Sequence, residues 1–400
     1  IYGDRDADVS FGLAYAHAQD DFDNLRDVIY ALRGKLALLY GKEAAVNDYY
    51  VHLMNFHDIV EKKYETNIPD DVKNLCEGYA SGINKFLLDY PEKKKKTFEP
   101  VTAKEIIIGF SHRMPLMFGL DGILKKLSNK NPPELIGLHG ENQEGLFDML
   151  ASNFIAIGPQ RSSDNYTRLW INTHQPWDGP VSWYEAHLVS EEGWDFYGAL
   201  FPGSPVPLIG NNPNLAWSHT VNSPDLVDVY KLTLNKQNKN QYWFEGYWKD
   251  LEVREVFIKV KIVGPFSWTF RRTVKSSIHG PVLDFDHGSY ALRVSSIKDI
   301  RFVEQWYRMG KANDINEFKN AMEIHSIPMF NTGYADKNGI IYYVYNAKIP
   351  KRDSRFNWNK ILPGETKQAL WYDYIPFERL PQVYNPLEGF FQNCNSSPYL

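Results

Sequence analysis

The sequence predicts an α+β protein, helical over roughly its first 130 residues and strand-rich from residue 152 onward. Apolar residues recur at helical spacing early in the chain. Short β-type runs bounded by Gly, Pro and Asn dominate later, and a stretch rich in Asn, Pro and Gly separates the two regimes.

Residues 12–40 place Leu13, Ala16, Phe22, Leu25, Val28, Ile29 and Leu32 three or four apart, which gathers them on one side of a helix. Residues 70–90 repeat the habit with Val72, Leu75, Tyr79, Ile83, Phe86 and Leu87. Thr102-Ala103-Lys104-Glu105 reads as a capping box, Thr and Glu satisfying each other's backbone donors, and opens a helix through Ile106, Ile107, Ile108 and Phe110. The lysines 93–96 before it read as a solvated loop rather than a nucleic-acid contact. Residues 127–150, with Asn129, Asn131, Pro132, Pro133 and the run from Gly140 to Gly145, suit an exposed linker. Strands are expected at Phe154–Ile157, Leu169–Ile171, Trp183–Val189, Val253–Val263, Trp268–Val274 and Ile340–Tyr345. The chain thus divides into a helical part (1–128), a linker or spacer (129–151) and a β-rich part (152–400).

With 400 residues and 43% hydrophobic content, the chain can bury a core larger than one small domain holds, as one elaborate domain or two packed lobes. A net charge of −5 leaves no basic footprint for nucleic acid, so a small-molecule partner is expected. Cys76 and Cys394 are too few for a disulfide framework or a thiolate cluster and read as two free, buried thiols, with a single bridge between them as the alternative. No stretch approaches the roughly 20 apolar residues of a membrane span, and no secretory leader is visible after Ile1.

Ser152 is the candidate nucleophile, set between small and apolar neighbours in Ala151-Ser152-Asn153-Phe154-Ile155-Ala156-Ile157-Gly158. A serine hydroxyl needs a base within reach. If the Ala151–Ser152 bond is cut, Ser152 gains an α-amine, with an ordinary pKa of about 7.7 to 8.0, that can take its proton.

Further segments follow in order: Asn172-Thr173-His174-Gln175-Pro176-Trp177, Ser182-Trp183-Tyr184-Glu185-Ala186-His187, Phe201-Pro202-Gly203, Ala216-Trp217-Ser218-His219-Thr220-Val221-Asn222, and Phe330-Asn331-Thr332-Gly333-Tyr334-Ala335-Asp336. With Gly12-Leu13-Ala14-Tyr15-Ala16-His17-Ala18-Gln19-Asp20-Asp21 near the start, this succession resembles the penicillin acylase family of N-terminal nucleophile hydrolases. Within it, His174 matches the branch that includes acyl-homoserine lactone and cyclic lipopeptide acylases.

The resemblance implies a four-layer αββα fold, self-cleavage at Ala151–Ser152, an α/β heterodimer from one precursor and a periplasmic or secreted location. It implies that Val221 supplies a backbone N–H and Asn331 a side-chain amide to the oxyanion, and that His174 holds the serine and its amine in line. Taken alone, His174 reads as a core histidine anchoring the Asn-Thr-His-Gln-Pro-Trp turn; the surrounding match assigns it to the site. Arg352 would steady the Asn331 carbonyl, or else form a surface ion pair. Asp225, Val227 and Asp228 match a pattern that binds structural calcium in some members, with Asp121 as a further ligand, against a plain acidic turn. Catalysis needs no cofactor, and no zinc spacing is present.

Phe154, Ile155, Gln175, Trp177, Trp183 and Phe330 are the candidate lining of an apolar acyl pocket. Gln175 departs from the phenylalanine of several long-chain acylases in this branch, which argues against a deep lipid pocket. Relatives continue beyond the segment Gln392–Pro398, so the β-rich part is expected to be shorter than theirs. The expected activity is hydrolysis of N-acylated small molecules, such as acyl-homoserine lactones or lipopeptides, through an acyl-enzyme on Ser152. The alternatives are a penicillin or cephalosporin acylase, and a non-catalytic protein whose 11 Trp and 25 Tyr stack on a sugar or peptide.

Overall fold

The computed structural model describes residues 1–131, 134, 136 and 151–398. Helix α1 (Asp6–Leu32) carries the first predicted stripe and breaks its helical geometry at Asp21. Gly34 follows it at φ 62°, a left-handed conformation that a residue without Cβ adopts without strain. One turn, α2 (Ala37–Tyr40), leads into α3 (Ala45–Met54) and α4 (Phe56–Asn67), two helices for which the sequence reading offered no element. Then come α5 (Asp70–Asp89), α6 (Ala103–Met117) and α7 (Leu120–Ser128).

Gly78 and Gly82, one turn apart on α5, let it lie directly on α1: a Cβ at either would sit 2.2 Å from the carbonyl oxygen of Ala7 or Phe11. The predicted capping box is present, with the Thr102 N–H donating to Glu105 Oε2 at 2.9 Å. The same carboxylate takes the buried Arg33 guanidinium at 2.5 Å, which ties the start of α6 to the end of α1.

Among the described residues the strands form four sheets, two of them stacked; the smallest pairs Gln241–Phe244 with Tyr247–Asp250. An eight-stranded sheet runs in the order Tyr2–Gly3, Tyr184–Ser190, Asp195–Leu200, Ile209–Asn211, Leu215–Thr220, Asn331–Asp336, Ile341–Tyr345, Gln382–Tyr384. A three-stranded sheet runs Phe390–Asn393, Ala151–Ile157, Arg168–His174. A six-stranded sheet carries Glu252–Val263, Phe266–Ser277, Gly280–Phe285, Gly288–Val294, Val227–Leu232 and Leu362–Pro363. Every predicted strand coincides with one of these. Helices α8 (Phe302–Lys311) and α9 (Ile315–Met322) interrupt the strand-rich part and were not anticipated.

Alternation along the strands sets the layers. Trp217, His219 and Tyr334 of the eight-stranded sheet face α8 and α9: Trp217 packs on Phe318, Tyr334 on Phe318, and His219 meets Trp306. The intervening Gly333 faces the three-stranded sheet, and a Cβ there would lie 2.6 Å from the Phe154 ring. Helices, sheet and sheet therefore stack in that order, with the largest apolar cluster reaching from the helices to the eight-stranded sheet and a separate one, holding Phe154, Tyr343 and Tyr345, between the two sheets. Buried Asp6 at the start of α1 accepts from Tyr307, from Ser190 and from Lys311, the last at 2.6 Å, and so joins the helical and strand-rich parts.

Of the predicted linker, residues 132, 133, 135 and 137–150 lie outside the described residues. Ile136 is buried and its N–H donates to the Asn359 carbonyl at 2.8 Å, while Ala151 already belongs to a strand. Both cysteines are free, but only Cys76 is buried; Cys394 follows the last strand and is exposed. Among the described residues no helix is long and apolar enough to cross a membrane.

Candidate active site

Strand Ala151–Ile157 is the centre of the three-stranded sheet, and its alternation turns Ser152, Phe154 and Ala156 inward. Ser152 is 3% exposed. Its Oγ donates to the carbonyl oxygen of Ala151 at 2.6 Å, beside the carbon it would have to attack for self-cleavage. Its backbone N–H donates to Asn395 Oδ1 at 2.9 Å, and Asn395 Nδ2 donates to the Val221 carbonyl at 2.9 Å. Val221 follows the end of strand Leu215–Thr220, and among the described residues its N–H has no intramolecular acceptor. A narrow cavity of about 20 Å³, room for roughly one water molecule, opens beside Ser152 among Met117, Trp183, Phe201, Val221, Trp306 and Phe330.

Asn331 is fully buried. Its Oδ1 accepts from the Tyr343 hydroxyl at 2.7 Å, which fixes the orientation of the amide. Its NH₂ donates to Thr220 Oγ1 at 3.0 Å and Asn393 Oδ1 at 3.1 Å, and Thr220 donates in turn to Asn393 Oδ1 at 2.6 Å. With the Val221 carbonyl a further acceptor at 3.4 Å, the NH₂ of the expected oxyanion donor is already engaged in the uncut chain. Phe330 precedes it at φ 92°, strained for a residue with a Cβ, and is held there by its N–H donating to Asn222 Oδ1 at 2.7 Å.

His219 borders the cavity, yet both ring nitrogens are used. Nδ1 pairs with Thr332 Oγ1 at 3.1 Å, and Nε2 accepts from Trp306 Nε1 at 3.0 Å. Burial lowers its pKa to about 3, so it is a neutral structural ring and no base for Ser152.

Several expected site residues are placed differently. His174 pairs with Ala151 across the strands, but Ser152 pairs with Thr173; facing residues share a face, so the exposed His174 ring is on the opposite side from Oγ. Phe154 is inter-sheet core against Tyr343 and Phe391, and alternation turns Ile155 away from the cavity. Trp177 stands 98% exposed on the loop after strand Arg168–His174. Gln175, Trp183 and Phe330 do line the cavity.

Arg352 does not clamp Asn331, since Tyr343 occupies that carbonyl. Its guanidinium spans Asp225 at 3.0 Å and Asp228 at 3.1 Å. Burial raises the Asp228 carboxyl to about 6, and Arg352 and the Trp371 N–H at 2.6 Å offset part of that cost. Arg352 stands between the carboxylates of Asp225 and Asp228, where the Asp225-Val227-Asp228 pattern would place calcium; among the described residues Asp228 Oδ1 is buried without a hydrogen-bond partner, and Asp121 lies near Tyr50 in the helical part. Among the described residues no group of three or more His, Cys, Asp or Glu side chains is arranged to hold a metal.

Sequence reasoning missed Asn393, Asn395 and Tyr343. The only signal was an unusual density of amides and hydroxyls in Gln392-Asn393-Cys394-Asn395-Ser396-Ser397, which reads as a polar loop until the fold brings it against Ser152.

Several known proteins are similar to this chain. A family profile described as penicillin amidase matches residues 1–400. The chain is similar to an acyl-homoserine lactone acylase, PvdQ, of Pseudomonas fluorescens (strain Pf0-1), 26% identical over 450 residues and covering 100% of this chain and 57% of that protein. It is also similar to aculeacin-A acylase of Actinoplanes utahensis, 23% identical over 388 residues, covering 88% and 49%. Among solved structures, a thermostable penicillin G acylase from Alcaligenes faecalis aligns with a TM-score of 0.54 and 30% identity, over 62% of this chain and 44% of that one. The chain spans about half the length of the curated relatives it matches.

Proposed function

The chain belongs to the penicillin amidase family and shares its mixed α+β fold, and from that premise we propose that it is a self-processing amidohydrolase with Ser152 as nucleophile. The observation that carries the reading is the buried Ser152 Oγ, 2.6 Å from the Ala151 carbonyl oxygen, with the Val221 N–H, unengaged among the described residues, bordering the same cavity.

In the processing step Oγ attacks the Ala151 carbonyl carbon, its proton passes to the departing nitrogen, and the C–N bond breaks to leave an ester. Water then hydrolyses the ester, giving a carboxylate on Ala151 and a free amine on Ser152. In turnover that amine takes the hydroxyl proton as Oγ attacks a substrate amide and returns it to the leaving amine; water releases the acid from the acyl-enzyme. Val221 N–H and, once its partners rearrange, the Asn331 amide carry the oxyanion.

The product would be a heterodimer of a helical part (1–128) and a catalytic part (152–400), with 129–151 as spacer. The reading carries an exported location with it. Substrates would join an apolar acyl group to a polar amine, as the names of the relatives acting on acyl-homoserine lactones and aculeacin A suggest. The acyl group would enter between Trp183, Phe201, Trp306 and Phe330, in a cavity that has to open from its roughly one-water size.

Intact mass and N-terminal sequencing of wild type and Ser152→Ala test this. Two fragments, one beginning Ser-Asn-Phe-Ile and absent from the variant, are expected. A single uncut chain in both would remove Ser152 as the processing nucleophile and favour a binding protein.

A further inference from the structure

A second cavity, about 630 Å³ in volume, lies between helices α3 and α4 and the six-stranded sheet, and it shares no lining residue with the cavity at Ser152. This volume is in the range that holds a small organic ligand. Its apolar wall is built by Leu53, Ile59, Ile278 and Trp371.

Its charged lining is mostly cationic. Lys62, Lys63, Arg254, Arg293 and Lys298 face it, against Asp58 and Glu252. Asp58 is paired with Lys62 at 2.8 Å, and Glu252 accepts from Ser276 Oγ at 3.1 Å. The two arginines have no carboxylate partner among the described residues. Arg254 donates to the His52 carbonyl at 2.9 Å. Arg293 donates to the carbonyls of Ile278 at 3.2 Å and Trp371 at 2.6 Å and lies 4.4 Å over the Trp371 ring, yet its Nε is buried without an acceptor. Beside it His279 is 1% exposed, and its Nε2 is also buried and without a partner among the described residues.

A buried N–H without an acceptor is costly, and a guanidinium with unused donors fits the planar fork of a carboxylate. A phosphate dianion suits the lining less well, because Asp58 and Glu252 also face the space and its wall is apolar. We propose that this cleft binds a small amphipathic carboxylate, its head on Arg254 and Arg293 and its apolar body against Leu53, Ile59 and Ile278. The assignment holds whether or not Ser152 is a nucleophile.

The test is calorimetric titration of the full chain with octanoate, alongside octanamide and inorganic phosphate. Saturable binding of octanoate at one site is expected, about tenfold or more weaker in Arg293→Gln and in Arg254→Gln. It should be lost in Ile59→Trp, which fills the cleft, with the circular dichroism of each variant unchanged. If Arg293→Gln fails to fold, Arg254→Gln and Ile59→Trp decide. Octanoate binding that ignores these changes belongs elsewhere on the chain and overturns the proposal, as would no binding, equal affinity for octanamide, or a preference for phosphate.

Discussion

Asn395 accepts the backbone N–H of Ser152 at 2.9 Å, and the other end of the same carboxamide donates to the Val221 carbonyl at 2.9 Å. One side chain thus links the nitrogen that would become the catalytic amine to the residue whose N–H would meet the oxyanion. Neither link is local: 243 and 174 residues separate the partners.

Asn395→Ala should therefore slow processing about ten- to a hundredfold, the range of one or two lost hydrogen bonds in a buried site. A time course of intact mass reads this directly. Asn395→Asp asks a sharper question once the chain is cut. A carboxylate beside the new amine favours its protonated form and raises its pKa, so the acid limb of the kcat/KM profile should move to higher pH. A profile that stays in place would show that residue 395 does not face the amine.

Tyr343, rather than Arg352, orients the Asn331 amide. Asn331→Ala is expected to lower kcat about 10² to 10³-fold, as loss of an oxyanion donor does, with KM little changed. Tyr343→Phe keeps the amide and removes only what orients it, so a smaller loss of about tenfold is expected. Steady-state kinetics on processed enzyme separates the two, and a Tyr343→Phe enzyme as active as wild type would mean that Thr220 and Asn393 suffice to hold Asn331.

The layout of the fold was legible because its signals are local. The stripe in α1, the Thr102 capping box and the alternation around Ser152 each lie within a few residues. Helix α8 was legible in principle, since Phe302, Val303, Trp306 and Met309 lie at helical spacing and are buried together. Of the expected site residues, Ser152, Gln175, Trp183, Val221 and Phe330 border one cavity, and Asn331 lies beside Val221. The side of the strand taken by His174 depends on register, and a one-residue difference in pairing exchanges the two faces. What Arg352 grips depends on which of several buried carboxylates and amides the fold brings near it, and no spacing encodes that.

The Asp228–Arg352 pair makes stability depend on pH. Burial raises the folded Asp228 carboxyl to about 6 from an ordinary 3.8, so the folded chain holds this proton more tightly than the unfolded chain. Its contribution is complete below about pH 4 and is lost as pH rises through about 6. Asp228→Asn should remove that slope, and melting temperatures of wild type and variant across this window read it. Arg352→Met leaves two buried acids without their cation and should cost about 3 to 5 kcal/mol at neutral pH. Chelator should leave the wild-type melting temperature unchanged; a drop restored by calcium would show that the acids hold an ion in solution.

Gln175 and Trp183 set the chemistry of the cavity beside Ser152. Among the described residues, Gln175 Oε1 and Trp183 Nε1 are both buried without partners, an acceptor and a donor that an all-apolar acyl chain would leave unsatisfied. Each such atom costs about 1 to 3 kcal/mol in the folded chain, which a substrate bearing its own polar group could recover on binding. Gln175→Leu should then raise stability by about 1 kcal/mol in chemical denaturation while lowering kcat/KM for hydroxyl-bearing acyl chains relative to plain ones on the same amine. Loss of stability would mean that Oε1 has a partner in solution. An unchanged ratio between the two acyl series would mean that the acyl group does not reach Gln175, and the entry route between Trp183 and Phe330 would have to be redrawn.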